Sequence, residues 1–203
     1  MPSARQIRWF YKPALFLLCL LPLAVLTGRG LGVAGTTLGA NPIEEMLHFL
    51  GKWGLNFLVL TLAITPLRSL SGQNWLITFR RMLGLYAFFY ICLHFFTWLV
   101  IDQGFYLPGI LKDITKRPFI TIGVLALLLL IPLAITSTTG MVRRLGRRWQ
   151  QLHQLVYVIV LLGAWHYYWQ VKRDVREPLI YFGVIVVLLG WRAWQTRIRK
   201  KIK

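Results

Sequence analysis

The sequence predicts an all-α protein: a polytopic bundle of six transmembrane helices, with both termini cytoplasmic. Of the 203 residues, 57% are hydrophobic, whereas a typical soluble domain is about 45–50% apolar. The apolar residues form runs of nearly twenty, such as 119–135, and a run of this length can cross a bilayer as a helix. Charged loops separate the runs. Because no region remains for a soluble domain, residues 1–203 form one domain with a basic tail from about residue 195.

The apolar runs give approximate bounds for the six spans. They cover residues 9–28, 46–66, 82–101, 119–135 and 151–171, and a last segment that starts near residue 178. Pro178 suits the first helical turn, where a missing N–H costs nothing. The first run has a basic flank and an apolar core, as a signal peptide does, but no clear A-x-A cleavage pattern follows it. We therefore expect a retained first helix.

The distribution of charge predicts the orientation. The chain has 24 basic and 6 acidic residues, which gives a net charge of +18. Both termini and the loops after the second and fourth spans share one predicted side, which holds sixteen basic residues and no acidic residue. The opposite side holds all the acidic residues. The positive-inside rule then places both termini in the cytoplasm. Charge in these positions indicates contact with anionic membrane lipid and argues against a nucleic-acid partner.

Two histidines on different predicted spans are expected at similar depth in the outer half of the membrane. His94 lies seven residues before the end of the third span, and His166 lies five residues before the end of the fifth. Both spans run outward, so the two depths differ by roughly 3 Å at the helical rise. Ionisable residues inside a membrane are functional candidates. Two imidazoles so placed could be the axial ligands of a haem iron, a hydrogen-bonded pair in a polar core, or a proton relay.

The other two histidines lie at different depths. His153 lies thirteen residues before His166, roughly 20 Å away along a helix, so one small ligand cannot contact both. It could ligate a second haem with an unusual partner, line a flavin or quinone site, or lie at the membrane interface. His48 follows two glutamates at the outer start of the second span. We expect it to be an interfacial residue first and a haem-pocket residue second.

Pairs of arginines mark the predicted cytoplasmic side. Arg80, Arg81 and Arg147 belong to these pairs, which are typical anchors under the positive-inside rule. Arginine also receives phosphate or carboxylate groups well, as in FMN or a haem propionate. Cys19 and Cys92 lie in apolar runs and form no motif, so we expect them to be core residues. No catalytic nucleophile–base pair or phosphate-binding loop is present in the sequence.

Several long motifs resemble one family. The sequence contains TPLR, RRMLGLY, LAITST and RRLGRRWQQLH in that order, within residues 40–190. They resemble the MsrQ family, the haem-binding membrane subunits of the bacterial periplasmic methionine-sulfoxide reductase system, and through it the ferric-reductase-like transmembrane group. His94, His153 and His166 fall on the family's histidine positions, and His48 lies in its HFxG segment. The wider group usually has a further histidine in the third span, where this chain has Arg81.

The resemblance implies a function in electron transfer across the bacterial inner membrane. It implies haem b, a bound FMN, and a periplasmic molybdopterin reductase (MsrP) as the electron acceptor, which repairs oxidised periplasmic proteins. Electrons would enter near Arg80, Arg81, Arg147 and His153, from a flavin reductase or from membrane quinol. They would leave from a haem held by His94 and His166. The chain would thus be an electron-transfer subunit. The alternatives are a quinol-linked or ferric-reductase-like cytochrome b with another acceptor, and a small transporter with a histidine proton relay.

Overall fold

The computed structural model describes residues 2–171 and 174–201, and this part of the chain consists of helices joined by turns and loops. Its α-helices are α1 (Ala4–Gln6), α2 (Lys12–Gly30), α3 (Pro42–Ser71), α4 (Arg80–Phe96), α5 (Leu107–Lys116), α6 (Pro118–Ile135), α7 (Thr139–Leu145), α8 (Arg147–His153), α9 (Leu155–Gln170) and α10 (Arg176–Lys201). The all-α prediction is confirmed. The end of the predicted basic tail, Ile202 and Lys203, lies outside the described residues.

Among the described residues, five helical segments are long and apolar enough to cross a membrane. They are Ala4–Gly30, Pro42–Ser71, Asn74–Asp102, Pro118–Ile135 and Arg176–Ile198. The first includes the π-helical turn Ile7–Tyr11, and the third includes the turns that flank α4. The predicted span at 151–171 is not a single long helix. It consists of α8 and the 16-residue α9, separated at Gln154.

The segment between the third and fourth predicted spans contains a helix that the sequence analysis assigned to a loop. This helix, α5, has one apolar side, and its Ile110 packs with Trp98 and Ile120 in a small buried cluster. Leu107 and Leu111 are exposed on α5. Such an amphipathic helix suits the membrane surface, where one side meets lipid and the other meets protein. Charged residues within α5 obscured its apolar pattern in the sequence.

Two helix pairs form the centre of the bundle, α3 with α4 and α6 with α9. Their shared core includes Leu58 of α3, Ala87 of α4 and Ile159 of α9, which are at most 2% exposed. The outer surface carries exposed Leu, Phe and Val side chains, as expected for a bundle surrounded by lipid. The interior of the bundle therefore lies between these two pairs.

A tyrosine from α4 completes the hydrogen bonding of α2 near its internal proline. The Tyr90 side chain is fully buried, and its hydroxyl donates to the Cys19 carbonyl oxygen at 2.9 Å. The same hydroxyl accepts from the Leu23 backbone N–H at 3.0 Å. It therefore occupies the place of the helical bond from Leu23 to Cys19, beside Pro22, where a helix is easily bent. This exchange anchors α2 to α4 and keeps both the Leu23 N–H and the Cys19 carbonyl hydrogen-bonded.

Candidate functional site

His94 and His166 meet between the two central helix pairs. His94 belongs to α4 and His166 to α9, and their ring centroids are 6.0 Å apart. The ring planes are nearly perpendicular, with an interplanar angle of 79°. The two side chains that the sequence analysis placed at similar depth thus line one cavity.

Each of these rings is held by a backbone carbonyl of the neighbouring helix. Nδ1 of His94 lies 2.9 Å from the carbonyl oxygen of Leu47 at α3, and Nδ1 of His166 lies 2.7 Å from that of Phe119 at α6. A carbonyl oxygen only accepts, so Nδ1 carries the proton in both rings. The other nitrogen, Nε2, then has a free lone pair and forms no hydrogen bond within the described residues. This is the tautomer that a metal-ligating histidine adopts.

A glycine lies behind each ring, four residues after the carbonyl that holds it. A Cβ atom at Gly51 would lie 3.1 Å from Nδ1 of His94. A Cβ atom at Gly123 would lie 2.9 Å from Nδ1 and Cε1 of His166. Real Cβ atoms almost never approach within 3.0 Å, so only glycine allows the His166 ring to seat this deeply. In both helix pairs, therefore, one helix provides a carbonyl oxygen that holds the histidine ring of the other helix and a glycine that makes room for it.

The cavity beside the rings has a volume of about 410 Å³. Its inner part is apolar, and the residues there include Leu55, Leu58, Ile91, Leu127 and Ile159. Its outer part is polar and includes His48, Lys52, Arg117 and Gln170. An occupant of this cavity would have an apolar body beside the histidines and polar or charged groups toward the start of α3.

The polar end of the cavity is organised by contacts between helices. The side-chain amide of Gln170 lies 2.6 Å from Nε2 of His48, which links α9 to α3. Nζ of Lys52 lies 2.7 Å from a carboxylate oxygen of Glu177 on α10. His48 thus reaches the same cavity as His94 and His166, although the sequence analysis expected first an interfacial role. It lies at the entrance, beyond the facing ring pair.

One buried donor at the cavity has no partner among the described residues. Trp98 is 9% exposed and lies one helical turn beyond His94, and its Nε1–H forms no hydrogen bond. A buried donor without an acceptor is costly, about 1–3 kcal/mol. Since Trp98 lines the cavity, an occupant with an acceptor group near its polar end would satisfy this N–H.

These features fit a haem. An imidazole nitrogen lies about 2 Å from a bound transition metal, and the ring centre lies roughly 1 Å further, so two axial imidazoles have centres about 6 Å apart. The observed separation of the His94 and His166 rings is 6.0 Å. The apolar part of the cavity suits a porphyrin. The Trp98 N–H suits an acceptor oxygen of a propionate. Lys52 and Arg117, which are paired with Glu177 and Asp113, also line this end of the cavity.

His153 lies in a separate environment at the other end of the bundle. Its Nε2 is 2.9 Å from Oγ1 of Thr136, and its ring stacks on Trp149 with centroids 3.9 Å apart. Because the Thr136 hydroxyl donates to the Pro132 carbonyl oxygen, it accepts from Nε2–H of His153. Nδ1 of His153 is therefore the ring nitrogen with a free lone pair.

The three arginines that the sequence analysis proposed for cofactor binding, Arg80, Arg81 and Arg147, lie in different environments. Arg80 is partly buried at the start of α4, and its charge lies near His153. Nη1 of Arg81 lies 3.4 Å from the Thr139 side-chain oxygen. Arg147 is exposed at the start of α8 and forms no ion pair within the described ranges. Arg80 is therefore the arginine whose charge acts on the His153 ring.

The sequence analysis missed several residues of the site. Gly51, Gly123, Trp98, Gln170 and Thr136 were not singled out. One signal for the glycines was available, because Gly51 precedes His94 by the same interval as Gly123 precedes His166. The Trp98 and Thr136 contacts depend on packing between helices, which no spacing in the sequence displays.

Comparison with known proteins places this site in a class. Residues 50–164 match the family described as ferric reductase like transmembrane component. The match covers more than half of the chain. It includes His94 and the first part of α9. The chain therefore belongs to the ferric-reductase-like transmembrane proteins, as the paired helices and facing histidines suggest.

Individual relatives define the family more narrowly. A protein of Herminiimonas arsenicoxydans is 54% identical over 202 residues, covering 97% of this chain and 91% of the relative. Proteins of Azospira oryzae, 52% identical over 98% of this chain and 84% of the relative, and of Xanthomonas oryzae pv. oryzae, 54% identical over 82% and 76%, are also similar. All three are named protein-methionine-sulfoxide reductase heme-binding subunit MsrQ. The chain belongs to the MsrQ family.

Proposed function

We propose that this chain is a b-type cytochrome of the bacterial inner membrane that passes electrons outward to a periplasmic methionine-sulfoxide reductase. The facing of His94 and His166 carries the proposal. Two neutral imidazoles, each with Nδ1–H anchored and Nε2 free, are separated by the distance that two axial ligands of one iron require. The names of the relatives, as haem-binding subunits, support the same cofactor.

The residues of the cavity have distinct roles in holding this haem. His94 and His166 would hold the haem iron through their Nε2 atoms, and the carbonyls of Leu47 and Phe119 fix the orientation of both rings. Gly51 allows the close approach of the His94 ring. When bound, haem would supply one-electron transfer, and ligation by both histidines would leave no open position for oxygen. The chain itself positions the cofactor, excludes water with its apolar inner wall, and receives the propionates at its polar end.

The orientation follows from the charges. Sixteen basic and no acidic residues occupy the predicted cytoplasmic side. This side holds both termini if α8 and α9 together form the fifth of six crossings. The ion pair of Lys52 with Glu177 and that of Arg117 with Asp113 then lie at the periplasmic end. The polar entrance of the haem cavity opens on this side. Electrons therefore leave where a periplasmic partner can dock.

The cytoplasmic end is the proposed point of electron entry. His153 has a free Nδ1 and a stacked indole, Trp149, and it lies near the charge of Arg80. An aromatic and cationic environment of this kind suits FMN, whose phosphate would interact with arginine; a quinone or a second haem are the other occupants for His153. Arg81 and Arg147 extend the cationic surface. The donor is a cytoplasmic flavin reductase or membrane quinol.

The acceptor is a periplasmic molybdopterin subunit, MsrP, which would reduce methionine sulfoxide in damaged periplasmic proteins. The relatives' names describe a haem-binding subunit of a reductase, so a separate catalytic subunit fits the same system. The present chain acts as the electron-transfer subunit and contacts the membrane lipid along its outer surface.

The test compares purified wild type with the alanine variants of His94, His166 and His48. Wild type should show a six-coordinate, low-spin b-type spectrum. His94→Ala and His166→Ala should lose haem or become high-spin, and electron flow to the periplasmic reductase should stop. His48→Ala should lose less haem than the other two variants, because His48 lies at the entrance of the cavity. If the His94 and His166 variants keep a full low-spin haem while the His48 variant loses it, the proposed ligand pair is wrong.

A further inference from the structure

One carboxylate outside the haem cavity holds two of the side chains that line it. Glu177 lies in the first turn of α10 and is not itself part of the cavity wall. Its Oε1 and Oε2 atoms lie 2.7 Å and 2.9 Å from Nζ of Lys52 on α3. Its Oε2 also accepts a hydrogen bond from the Tyr167 hydroxyl of α9 at 2.7 Å. Glu177 therefore joins three helices at the polar end of the cavity.

Both partners of Glu177 follow directly on residues of the candidate site. Lys52 follows Gly51, the glycine behind one histidine ring, and Tyr167 follows His166. Lys52 and Tyr167 also both line the cavity. The carboxylate is thus connected, through one side chain each, to both halves of the histidine pair.

The positive charges at this end of the cavity are compensated in pairs. Among the described residues that line the cavity, Lys52 and Arg117 carry a full positive charge, and each is paired with a carboxylate, Glu177 or Asp113. An unpaired cation would favour ferrous over ferric haem, because the ferric form carries one more positive charge. The side chains of Lys52 and Glu177 are only 38% and 49% exposed, so solvent ions screen this pair incompletely. The pairing therefore affects how strongly a bound haem holds an electron.

The position of α10 does not depend on Glu177 alone. One turn further along α10, the Tyr181 hydroxyl donates to Oδ1 of Asn56 on α3 at 2.6 Å. Ile185 of the same helix is fully buried in the main core. A substitution at Glu177 should therefore change the charge at the cavity without releasing α10 from the bundle.

We propose that Glu177 is a positioning residue of the haem site, which holds the Lys52 ammonium in place and cancels its charge, so that the haem gives up its electron more readily. Glu177 acts through Lys52 and needs no contact with the haem. The Tyr167 hydroxyl keeps the carboxylate turned toward Lys52. This inference rests on the proposed function, because it concerns the haem held by His94 and His166.

The experiment uses full-length protein purified in detergent as wild type, Glu177→Gln, Lys52→Met, the double variant of both, and Asp174→Asn. Asp174→Asn is the matched control, because it removes a carboxylate three residues away whose Oδ1 accepts from the Arg176 backbone N–H. Two quantities are measured at low ionic strength, where screening is least. They are the haem content and the ferrous-to-ferric ratio of the haem in equilibrium with a redox-buffering dye.

Glu177→Gln should raise the ferrous-to-ferric ratio at least about threefold, because the charge of Lys52 is then uncompensated. Lys52→Met should lower the ratio, and the double variant should return close to the wild-type value, because both members of the pair are then neutral. Asp174→Asn should match wild type. An unchanged ratio in Glu177→Gln, or an equal shift in Asp174→Asn, would overturn the proposal.

Loss of haem from Glu177→Gln would be resolved by the double variant. If the double variant regains haem with the wild-type ratio, the uncompensated Lys52 charge caused the loss, as proposed. If it does not, Glu177 holds the bundle together and the proposal is wrong. Absence of haem from wild type would instead refute the proposed function.

Discussion

Alanine at Gly123 should weaken haem binding through a clash with the ligand ring. The new Cβ would lie 2.9 Å from Nδ1 and Cε1 of His166, whereas ordinary contacts begin at 3.4 Å, so the ring must move by about 0.5 Å. The ring cannot turn aside freely, because Nδ1 is bonded to the Phe119 carbonyl at 2.7 Å and Nε2 would ligate iron. Overpacking of this kind costs about 1–3 kcal/mol, which corresponds to roughly 5- to 150-fold in affinity.

Two other glycines of the same cavity provide a graded comparison. At Gly51 the Cβ would lie 3.1 Å from His94 Nδ1, a milder overlap, and at Gly163 it would lie 3.6 Å from a methyl group of Leu55, an ordinary contact. All three positions are helical, so each alanine gains a similar propensity of about 1 kcal/mol. Differences between the variants therefore isolate the contact with the ring.

The assay is haem affinity, measured by titrating the haem-free protein and following the low-spin Soret band, with thermal unfolding as a check of the fold. We expect Gly123→Ala to bind most weakly, Gly51→Ala to be intermediate, and Gly163→Ala to match wild type. Equal affinity in Gly123→Ala and Gly163→Ala would refute the claim that glycine is required behind the His166 ring.

Three further predictions address the other parts of the structure. His153→Ala should keep the outer haem but slow its reduction from the cytoplasmic side; stopped-flow reduction measures this, and loss of all haem would contradict it. Trp98→Phe should keep a low-spin haem but release it roughly tenfold faster, because a hydrogen bond to a charged propionate is lost. With haem dimethyl ester, whose propionates are uncharged, Trp98→Phe and wild type should release haem at the same rate. A persistent difference in rate would show that Trp98 acts by packing. Alkaline phosphatase is active only in the periplasm. It should be active when inserted within residues 102–118 and inactive when fused after residue 203, and the reverse pattern would contradict the proposed topology.

The sequence was most informative where hydrophobicity and spacing decide the structure. Apolar runs predicted the helices, and depth along two spans predicted that His94 and His166 lie at one level. It was less informative about local breaks. Gln154 interrupts the expected fifth span with a bond to the residue three positions back, Gln151, instead of four. The residues before this break, RRWQQLH, are mostly polar, and a span whose bounds are drawn from apolar residues does not show where the helical hydrogen bonding changes.

Contacts between helices could not be predicted from the sequence for a similar reason. The fit of Gly123 behind a ring depends on how closely α6 approaches α9, and the position of Arg192 depends on how α10 rests on Tyr157. From the sequence alone, Arg192 could not be distinguished from the other basic residues of its helix, all of which indicate the cytoplasmic side of the membrane. Only the packed structure distinguishes a buried, unsatisfied guanidinium from its solvated neighbours.

The carbonyls that hold the two histidines also bear on the reduction potential of the proposed cytochrome. Donation of Nδ1–H to an oxygen makes an imidazole a stronger electron donor to its metal, which stabilises ferric over ferrous iron and lowers the potential. The effect would come from both proposed ligands, since the Leu47 and Phe119 carbonyls hold the two histidines alike. A low potential favours release of the electron to the next acceptor. Because both oxygens belong to the main chain, this driving force is set by the course of α3 and α6, and no side-chain replacement at Leu47 or Phe119 removes it directly.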